Sequence, residues 1–244
     1  MNDASEIAVG ITRPTLDTLK KVSIFNQLDD SVLEQIAGIS ESRDLDAGAR
    51  IHGQGEHNGP FCILVSGQIS CFRTAPDGTV TVVEVLQPSG HAGLQSALTQ
   101  LPALVGTETV SASKIILVDS AALRALLPRE PSLATALLRA EAMDFRALVL
   151  QVCDLKLRTT AQRLGHYLLE LAPDKTSTSV SLRLPFDKRL LAARLGCRQE
   201  NLSRAFAALR ELGVETHGAK VILKDIPRLR DYAVAFDGVD PVTS

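Results

Sequence analysis

The sequence has few cysteines, and none stands in a spacing that builds a metal site. Four occur in 244 residues, and no two form a Cys-x-x-Cys pair: Cys62, Cys71, Cys153 and Cys197. Their scatter argues against a structural zinc site and against the disulfide framework of a secreted domain.

Long apolar runs are also missing. No segment approaches the roughly 18 consecutive apolar residues of a membrane-spanning helix, and residues 1–6 lack the basic and then apolar build of a signal peptide. The chain is therefore expected to be cytoplasmic, with no membrane partner. Because 45% of its residues are apolar, it can build the core of one large or two modest domains.

Motifs of catalysis are absent as well. The sequence contains no glycine-rich phosphate loop, no His/Cys metal spacing and no nucleophile-elbow pattern. Glu200 has no second carboxylate near it in sequence for acid–base chemistry. These absences predict that the protein is not an enzyme.

A helix-turn-helix is predicted over residues 187–210. Asp187 can cap the first helix, and Gly196 can end it because glycine tolerates a positive φ. The second helix has an apolar side formed by Leu202, Ala205, Phe206 and Leu209. Its other side carries only hydrogen-bonding groups, at Gln199, Glu200, Ser203 and Arg204.

This polar side has the chemistry of a major-groove reader. Arginine can donate two hydrogen bonds to guanine, glutamate can accept one from cytosine, and serine can contact a base or a phosphate. Residues 187–210 hold six basic and two acidic residues in a chain of net charge −2, and Lys188 and Arg198 are expected to support DNA binding. Two alternatives stay open: a helical hairpin with a solvated charged face, and a winged helix that contacts protein.

Residues 43–120 predict a small antiparallel β-domain. Turn signals rich in glycine, proline and aspartate recur roughly every 10–12 residues between short apolar runs, which is typical of a barrel or roll. The apolar runs are 61–65, 68–72, 80–86 and 115–118. Before them, residues 1–40 have the spacing of short amphipathic helices that would cover one end of the β-domain.

Residues 130–158 predict one long helix with an apolar seam. Five seam residues follow heptad spacing: Leu138, Phe145 and Val152, with Leu148 and Leu155. This spacing favours a coiled-coil homodimer. In the alternative, the stripe packs on the β-domain, although one seam can serve only one partner surface well.

The C-terminal part predicts a winged helix. A helix over 159–171 and a strand over 180–184 precede the helix-turn-helix, and a hairpin turning at His217-Gly218 follows it. Lys220 or His217 of this hairpin could contact phosphate. The tail after Asp237 is expected to be unstructured. The predicted domains are a sensor (1–127), a dimerisation helix (128–158) and a DNA-binding domain (159–244).

This order of elements resembles the Crp/Fnr family of bacterial transcription regulators over essentially the whole chain. The similarity rests on residues 196–204, on 61–69 and 75–79 as two roll hairpins, and on 45–56 before them. It implies an α+β fold: an N-terminal antiparallel β-roll of the cyclic-nucleotide-binding jelly-roll type, a long dimerisation helix and a C-terminal winged helix-turn-helix. It also implies a homodimer that binds palindromic double-stranded DNA as an activator, with RNA polymerase as a further partner.

The resemblance also implies roles for residues of the second helix. Glu200 and Arg204 match the base-reading pair of the family. With Ser203 they give Glu-x-x-Ser-Arg, the Fnr-type variant associated with TTGAT…ATCAA boxes. Gln199 departs from the arginine of the Crp type, which leaves the base preference at that position open.

For the sensor, the resemblance argues against two ligands. Cyclic-nucleotide binders of the family hold the ribose and the phosphate with Gly-Glu and Arg-Ser/Thr pairs. This sequence has Gly93-Leu94 and Val105-Gly106 at the matching positions, so cyclic AMP is not expected. No cysteine precedes Cys62, so the iron–sulfur cluster of oxygen-sensing Fnr proteins is not expected either.

The haem-linked, nitric-oxide-sensing branch of the family lacks both signatures and is similar in layout. Haem would need an axial ligand, and His91 in the roll is the first candidate. The other histidines are His52, His57, His166 and His217. A regulator that responds to thiol redox chemistry or to a small ligand is the alternative.

Cys62 and Cys71 are the candidates for redox chemistry. Both lie equally far from Ser66-Gly67, so a two-residue turn there would place them opposite each other on paired strands. In the other interpretation they are small apolar fillers of a buried roll.

Overall fold

The computed structural model describes residues 11–174, 177–184 and 187–233. The chain divides into two compact units, residues 1–145 and 146–244. The tail after Asp237, for which the sequence predicts no structure, lies outside the described residues. Among the helices of the described part, none combines the length and the apolar character needed to cross a bilayer.

Two short helices begin the first unit where the apolar spacing predicts them. Helix α1 covers Leu16–Lys20 and helix α2 covers Asp30–Gly38. The Thr15 side chain caps α1 by accepting a hydrogen bond from the Thr18 backbone N–H at 3.2 Å. The two helices and the segment between them bury apolar side chains in one cluster with the first sheet of the β-domain; Leu19, Leu33 and Ile36 come from the helices, and Val22 and Phe25 from the connection.

Two four-stranded antiparallel sheets form the β-roll, which confirms the predicted fold class. The first sheet has the order β1 (Ser40–Leu45), β8 (Ser113–Val118), β3 (Phe61–Ser66) and β6 (His91–Ala92). The second has the order β2 (Arg50–His52), β7 (Gly106–Thr109), β4 (Ile69–Thr74) and β5 (Val80–Leu86). Helices α3 (Leu94–Thr99) and α4 (Ser120–Leu126) complete this part of the unit.

Strand β3 is buried on both faces, which explains its continuous apolar run. Phe61 and Ile63 belong to the cluster formed with the helices, whereas Cys62 and Leu64 belong to the cluster between the two sheets. A strand covered on both faces needs apolar side chains at every position, because successive residues point to opposite faces.

The predicted hairpin between β3 and β4 is wrong, because the two strands lie in different sheets. The chain crosses from one sheet to the other at Gly67, whose φ is +91°. A Cβ there would lie 2.5 Å from the Ala112 carbonyl oxygen, so only glycine fits without a shift. Cys62 and Cys71 are therefore not opposite each other on paired strands; both are free thiols buried between the sheets.

One helix, α5, covers Pro131–Leu157, as the sequence predicts. Pro131 lies in the first turn, where its missing N–H removes no helical hydrogen bond. Leu133 and Leu137 are the buried residues of α5, and they pack in the cluster that contains α1 and α2. The beginning of α5 is thereby fixed to the roll.

The second unit has the elements of a winged helix. Its helices are α6 (Thr160–Glu170), α7 (Lys188–Arg194), α8 (Gln199–Arg210) and α9 (Ile226–Ala233). Its sheet has the order β10 (Val214–His217), β11 (Lys220–Leu223) and β9 (Val180–Arg183). His217 pairs with Lys220, so the wing turns at Gly218-Ala219, one residue later than predicted.

Helix α9 is an element that the sequence analysis did not predict. It packs on α6, where Gly165 permits the close approach: a Cβ on Gly165 would lie 3.2 Å from the Ala233 Cβ and 3.2 Å from Leu229 Cδ1. A Cβ on Gly165 would also lie 3.8 Å from Leu209 Cδ2, so α6 and α9 pack together against the buried side of α8.

Candidate nucleic-acid interface and sensor region

Local contacts hold the helix-turn-helix in the predicted position. Asp187 caps α7, since its Oδ1 accepts a hydrogen bond from the Leu190 backbone N–H at 2.8 Å. Gly196 has φ +60°, and the N–H of Cys197 donates to the Ala192 carbonyl at 2.9 Å. These contacts close the turn between α7 and α8.

Helix α8 has the buried and exposed sides that its periodicity predicts. Its buried residues are Leu202, Ala205, Phe206 and Leu209. The four polar residues of the opposite side are exposed: Gln199, Glu200, Ser203 and Arg204. The apolar side fixes α8 to the unit and leaves a row of hydrogen-bonding groups open to solvent.

Exposed basic side chains lie at the start of α8, at the start of α7 and on the wing. Arg198 is the exposed N-cap residue of α8, and the exposed Lys188 places its Nζ 5.9 Å from the centroid of the Phe206 ring. On the wing, Lys220 is exposed, whereas Lys224 already pairs with Glu215 at 2.6 Å. Lys220 is thus the better placed of the two wing lysines for a phosphate contact.

Two arginines that the sequence analysis missed connect the end of α5 to the helix-turn-helix. Arg163 donates from Nε to the Leu195 carbonyl at 3.0 Å and from Nη1 to the Arg158 carbonyl at 2.7 Å. The Arg158 side chain is 3% exposed, and its Nη1 lies 3.0 Å from Asp154 Oδ1. Arg163 therefore satisfies carbonyls at the ends of α5 and α7, where a helix offers no N–H donors. Arg158 is the last residue of the helix predicted over 130–158 and Arg163 lies within the helix predicted over 159–171, so no sequence signal marked either contact.

The heptad residues of α5 are exposed. Leu138 is 72% exposed and Phe145 is 69% exposed, so neither packs on the roll of its own unit. Leu148, Val152 and Leu155 are about half exposed. An apolar stripe of this length on a helix surface marks an interaction site.

In the roll, a histidine lies beside the positions that match the nucleotide clamp. The His52 Cε1 would be 3.7 Å from a Cβ on Gly93, and the ring hydrogen-bonds to the Val105 backbone. Its Nδ1 is 2.8 Å from Thr107 Oγ1. Burial lowers the pKa of His52, while Glu56 and the Val105 hydrogen bond act in the opposite direction. The ring is thus buried beside Gly93, and its burial favours the uncharged form.

His91, the first haem candidate, lies on β6. Its side chain is 10% exposed, and its Nε2 is 3.5 Å from Asp144 Oδ2. The ring packs edge-on against Phe61, with centroids 5.6 Å apart. Burial lowers the pKa of His91, and Asp144 raises it. The Asp144 carboxylate lies in front of Nε2, so a haem iron at that nitrogen would require the Asp144 side chain to move.

The two roll cysteines lie in an environment that suppresses thiol chemistry. Burial raises the pKa of Cys62, and it raises the pKa of Cys71 to about 12. The thiolate is the reactive form of cysteine, so neither residue has the surroundings of a reactive thiol.

Fold and surface together define a class of protein, a winged-helix DNA-binding protein with a β-roll domain. Family models match both parts: a cyclic nucleotide-binding domain over residues 42–130 and a Crp-like helix-turn-helix domain over residues 162–232. The chain belongs to the Crp/Fnr family, and it is a Crp-like DNA-binding transcription regulator.

Known relatives are similar over most of their length. The CRP-like cAMP-activated global transcriptional regulator of Mycobacterium tuberculosis is 25% identical over 217 residues, covering 87% of this chain and 97% of the relative. A solved structure from Ruegeria pomeroyi, named for cyclic nucleotide binding, is 29% identical with a TM-score of 0.62. The match covers 90% of this chain and 99% of that protein. FixK2 from Bradyrhizobium japonicum shares the fold, with 20% identity and a TM-score of 0.68. The match covers 83% of this chain and 100% of FixK2.

Proposed function

We propose that the protein is a homodimeric regulator that binds a palindromic TTGAT…ATCAA-like box with helix α8. The observation that carries this proposal is the exposed polar side of α8. Glu200, Ser203 and Arg204 project from a helix whose opposite side is buried. Such a helix can enter a major groove, where arginine pairs with guanine and glutamate with cytosine. An activator of this kind would have RNA polymerase as a further partner.

The proposed dimer forms along α5. Two copies of its exposed stripe, from Leu138 to Leu155, would bury the heptad side chains against each other. The stripe has one polar interruption, Glu141, whose pKa is raised by partial burial and by Asp144. A two-fold pair of α8 helices can then contact half-sites about 34 Å apart, one turn of DNA. A signal in the roll would act by changing the relation of the two α5 helices.

The proposed effector is not cyclic AMP. The Mycobacterium tuberculosis relative is named as cAMP-activated. In this chain Leu94 and Val105 replace the charged members of the clamp, and His52 lies beside them. Haem at His91 is disfavoured by the Asp144 carboxylate in front of Nε2. An absorption spectrum of protein purified with haem available, before and after addition of nitric oxide, tests the haem hypothesis, because bound haem would give a Soret band.

The base-reading role is tested by gel-shift titration of Arg204→Ala on a TTGAT…ATCAA duplex and on a random duplex. Loss of a bidentate arginine–guanine pair should cost about 1–3 kcal/mol on the box and little on random DNA. Arg228→Ala is the control, since Arg228 is exposed on α9 and outside the predicted reading face. Equal losses of Arg204→Ala on both duplexes would contradict base reading.

Salt dependence separates DNA binding from the alternative in which the winged helix contacts protein. Binding to phosphates releases counterions, so the affinity for DNA should fall steeply as salt rises. No measurable affinity for the box, even at low salt, would favour the protein-contact alternative.

A further inference from the structure

A cleft of about 620 Å³ lies in the first unit, and none of its lining residues is at a clamp position. Three stretches form it: residues 23–28 after α1, residues 84–91 around β5 and β6, and the beginning of α5. The volume is within the range of small-molecule sites, about 300–1,000 Å³. The cleft is therefore a candidate effector site separate from the nucleotide site of the fold.

The α5 side of the cleft is one stripe of the helix. Its residues recur every three or four positions, which is the spacing of a single helical face: Ser132, Thr135, Ala136, Arg139, Ala140 and Met143. Leu138 follows Ala136 by two positions and thus points away from the cleft, where it is 72% exposed. The same helix presents the cleft on one side and the proposed dimer seam on the other.

The charges in the cleft restrict the ligand. Arg139 is the cation, and its Nη1 donates to Gln27 Oε1 at 2.9 Å. Asp144 and Glu84 are the carboxylates, and Asp144 faces the deeply buried His91. With one arginine against two carboxylates, the cleft repels phosphates and other multiply charged anions. In the described residues, no cluster of His, Cys, Asp and Glu could hold a metal ion.

The remaining lining suits a short carbon skeleton. Apolar side chains line the cleft together with hydroxyl and amide groups: Ile24, Leu28, Leu86 and Met143, with Ser23, Asn26, Ser89 and Thr135. Arginine binds carboxylates with two parallel hydrogen bonds, and a carboxylate binds an ammonium group. We propose that this cleft binds a small zwitterionic metabolite of the amino-acid class, with its carboxylate at Arg139 and its amino group at Asp144.

This inference rests on the proposed function, because it assigns the effector of that regulator. A ligand that bridges residues 23–28, β6 and α5 would favour one position of α5 relative to the roll. Since the seam lies on the other side of α5, that shift would reach the dimer and the spacing of the α8 helices. Binding of the ligand and of DNA should then be coupled in both directions.

The test uses the full-length protein and the standard L-amino acids as separate probes, in thermal unfolding followed by calorimetric titration. At least one amino acid should bind, and Arg139→Gln should weaken that binding about tenfold or more. Arg146→Gln, an exposed residue of α5 that does not line the cleft, should bind as the wild type does. The bound amino acid should also change the Kd for the DNA box in the wild type and not in Arg139→Gln.

Four results would overturn the inference. No binding by any L-amino acid, or equal binding by Arg139→Gln, would remove the ligand assignment. Adenosine 3′,5′-cyclic monophosphate bound in an Arg139-dependent manner would assign the cleft to an anion instead. A bound amino acid that leaves the Kd for the box unchanged would refute the coupling to α5. In each case, box binding in the same preparation shows whether the proposed DNA-binding function itself survives.

Discussion

The DNA-facing surface and the sensor region are built from residues at very different separations in the sequence. On α8, the four polar residues lie within positions 199–204, and one helical period places them on the same side. Around His52, the neighbouring groups come from Gly93, Val105 and Thr107, which only the sheet and α3 bring together. The comparison teaches that a short-range surface can be inferred from periodicity, whereas a pocket depends on topology.

Gly67→Ala should have the largest effect, because Gly67 lies where the chain crosses from one sheet of the roll to the other. Its positive φ and the backbone oxygen 2.5 Å from a Cβ should together cost about 3 kcal/mol or more in the free energy of unfolding. Gly48→Ala is the matched control, since Gly48 has φ +81° but open space around a Cβ, and it should cost about 1 kcal/mol. Urea unfolding measures both, and equal losses would show that the crossing between sheets is not tightly packed.

The seam of α5 is tested by Leu148→Glu. Two copies of a buried leucine would be replaced by two facing charges, so the dimer should dissociate about a hundredfold more readily. Leu101→Glu is the control, because Leu101 is an exposed leucine of the roll outside the seam. Sedimentation equilibrium distinguishes monomer from dimer. A Leu148→Glu protein that stays as dimeric as Leu101→Glu would exclude the seam as the interface.

A pair of helix caps compares the two units directly. Asp187 Oδ1 accepts from the Leu190 N–H at 2.8 Å, and Asp119 Oδ1 accepts from the Ala122 N–H at 2.7 Å. Alanine at either position should cost about 1 kcal/mol of unfolding free energy. Only Asp187→Ala should also weaken binding to the DNA box, since Asp187 begins the helix-turn-helix. Gel-shift titration checks this, and similar weakening by Asp119→Ala would contradict it.

The smallest expected effect is a pH dependence of roll stability. Because burial lowers the pKa of His52, the unfolded chain takes up the proton first as pH falls below the ordinary histidine value of about 6.5. The free energy of unfolding should therefore decrease as the pH falls below about 6.5, and His52 should account for about 1 kcal/mol or less of the decrease. His52→Gln should have a flatter profile in urea unfolding from pH 7.5 to about 5.5. If the unfolding free energy of His52→Gln depends on pH as strongly as that of the wild type, His52 is not the group responsible.

The sequence predicted elements whose period and end signals agreed. Asp187 and Gly196 bounded α7, heptads marked α5, and the apolar side of α8 followed from helical spacing. It missed β1, whose residues 40–45 are largely polar and become a strand through pairing with β8. It misassigned the partner of β3, because an apolar run buried on both faces does not show which strand lies beside it.

By itself the sequence determined the helix-turn-helix, the polar side of α8 and the long helix, because each depends on contacts within a few turns of chain. Only the tertiary structure decided that Cys62 and Cys71 lie in separate sheets, that His52 lies beside the clamp positions, and that α5 backs a cleft. These features require segments far apart in sequence to pack together. Side-chain periodicity specifies which face of a segment is buried, and it does not specify the segment that buries it.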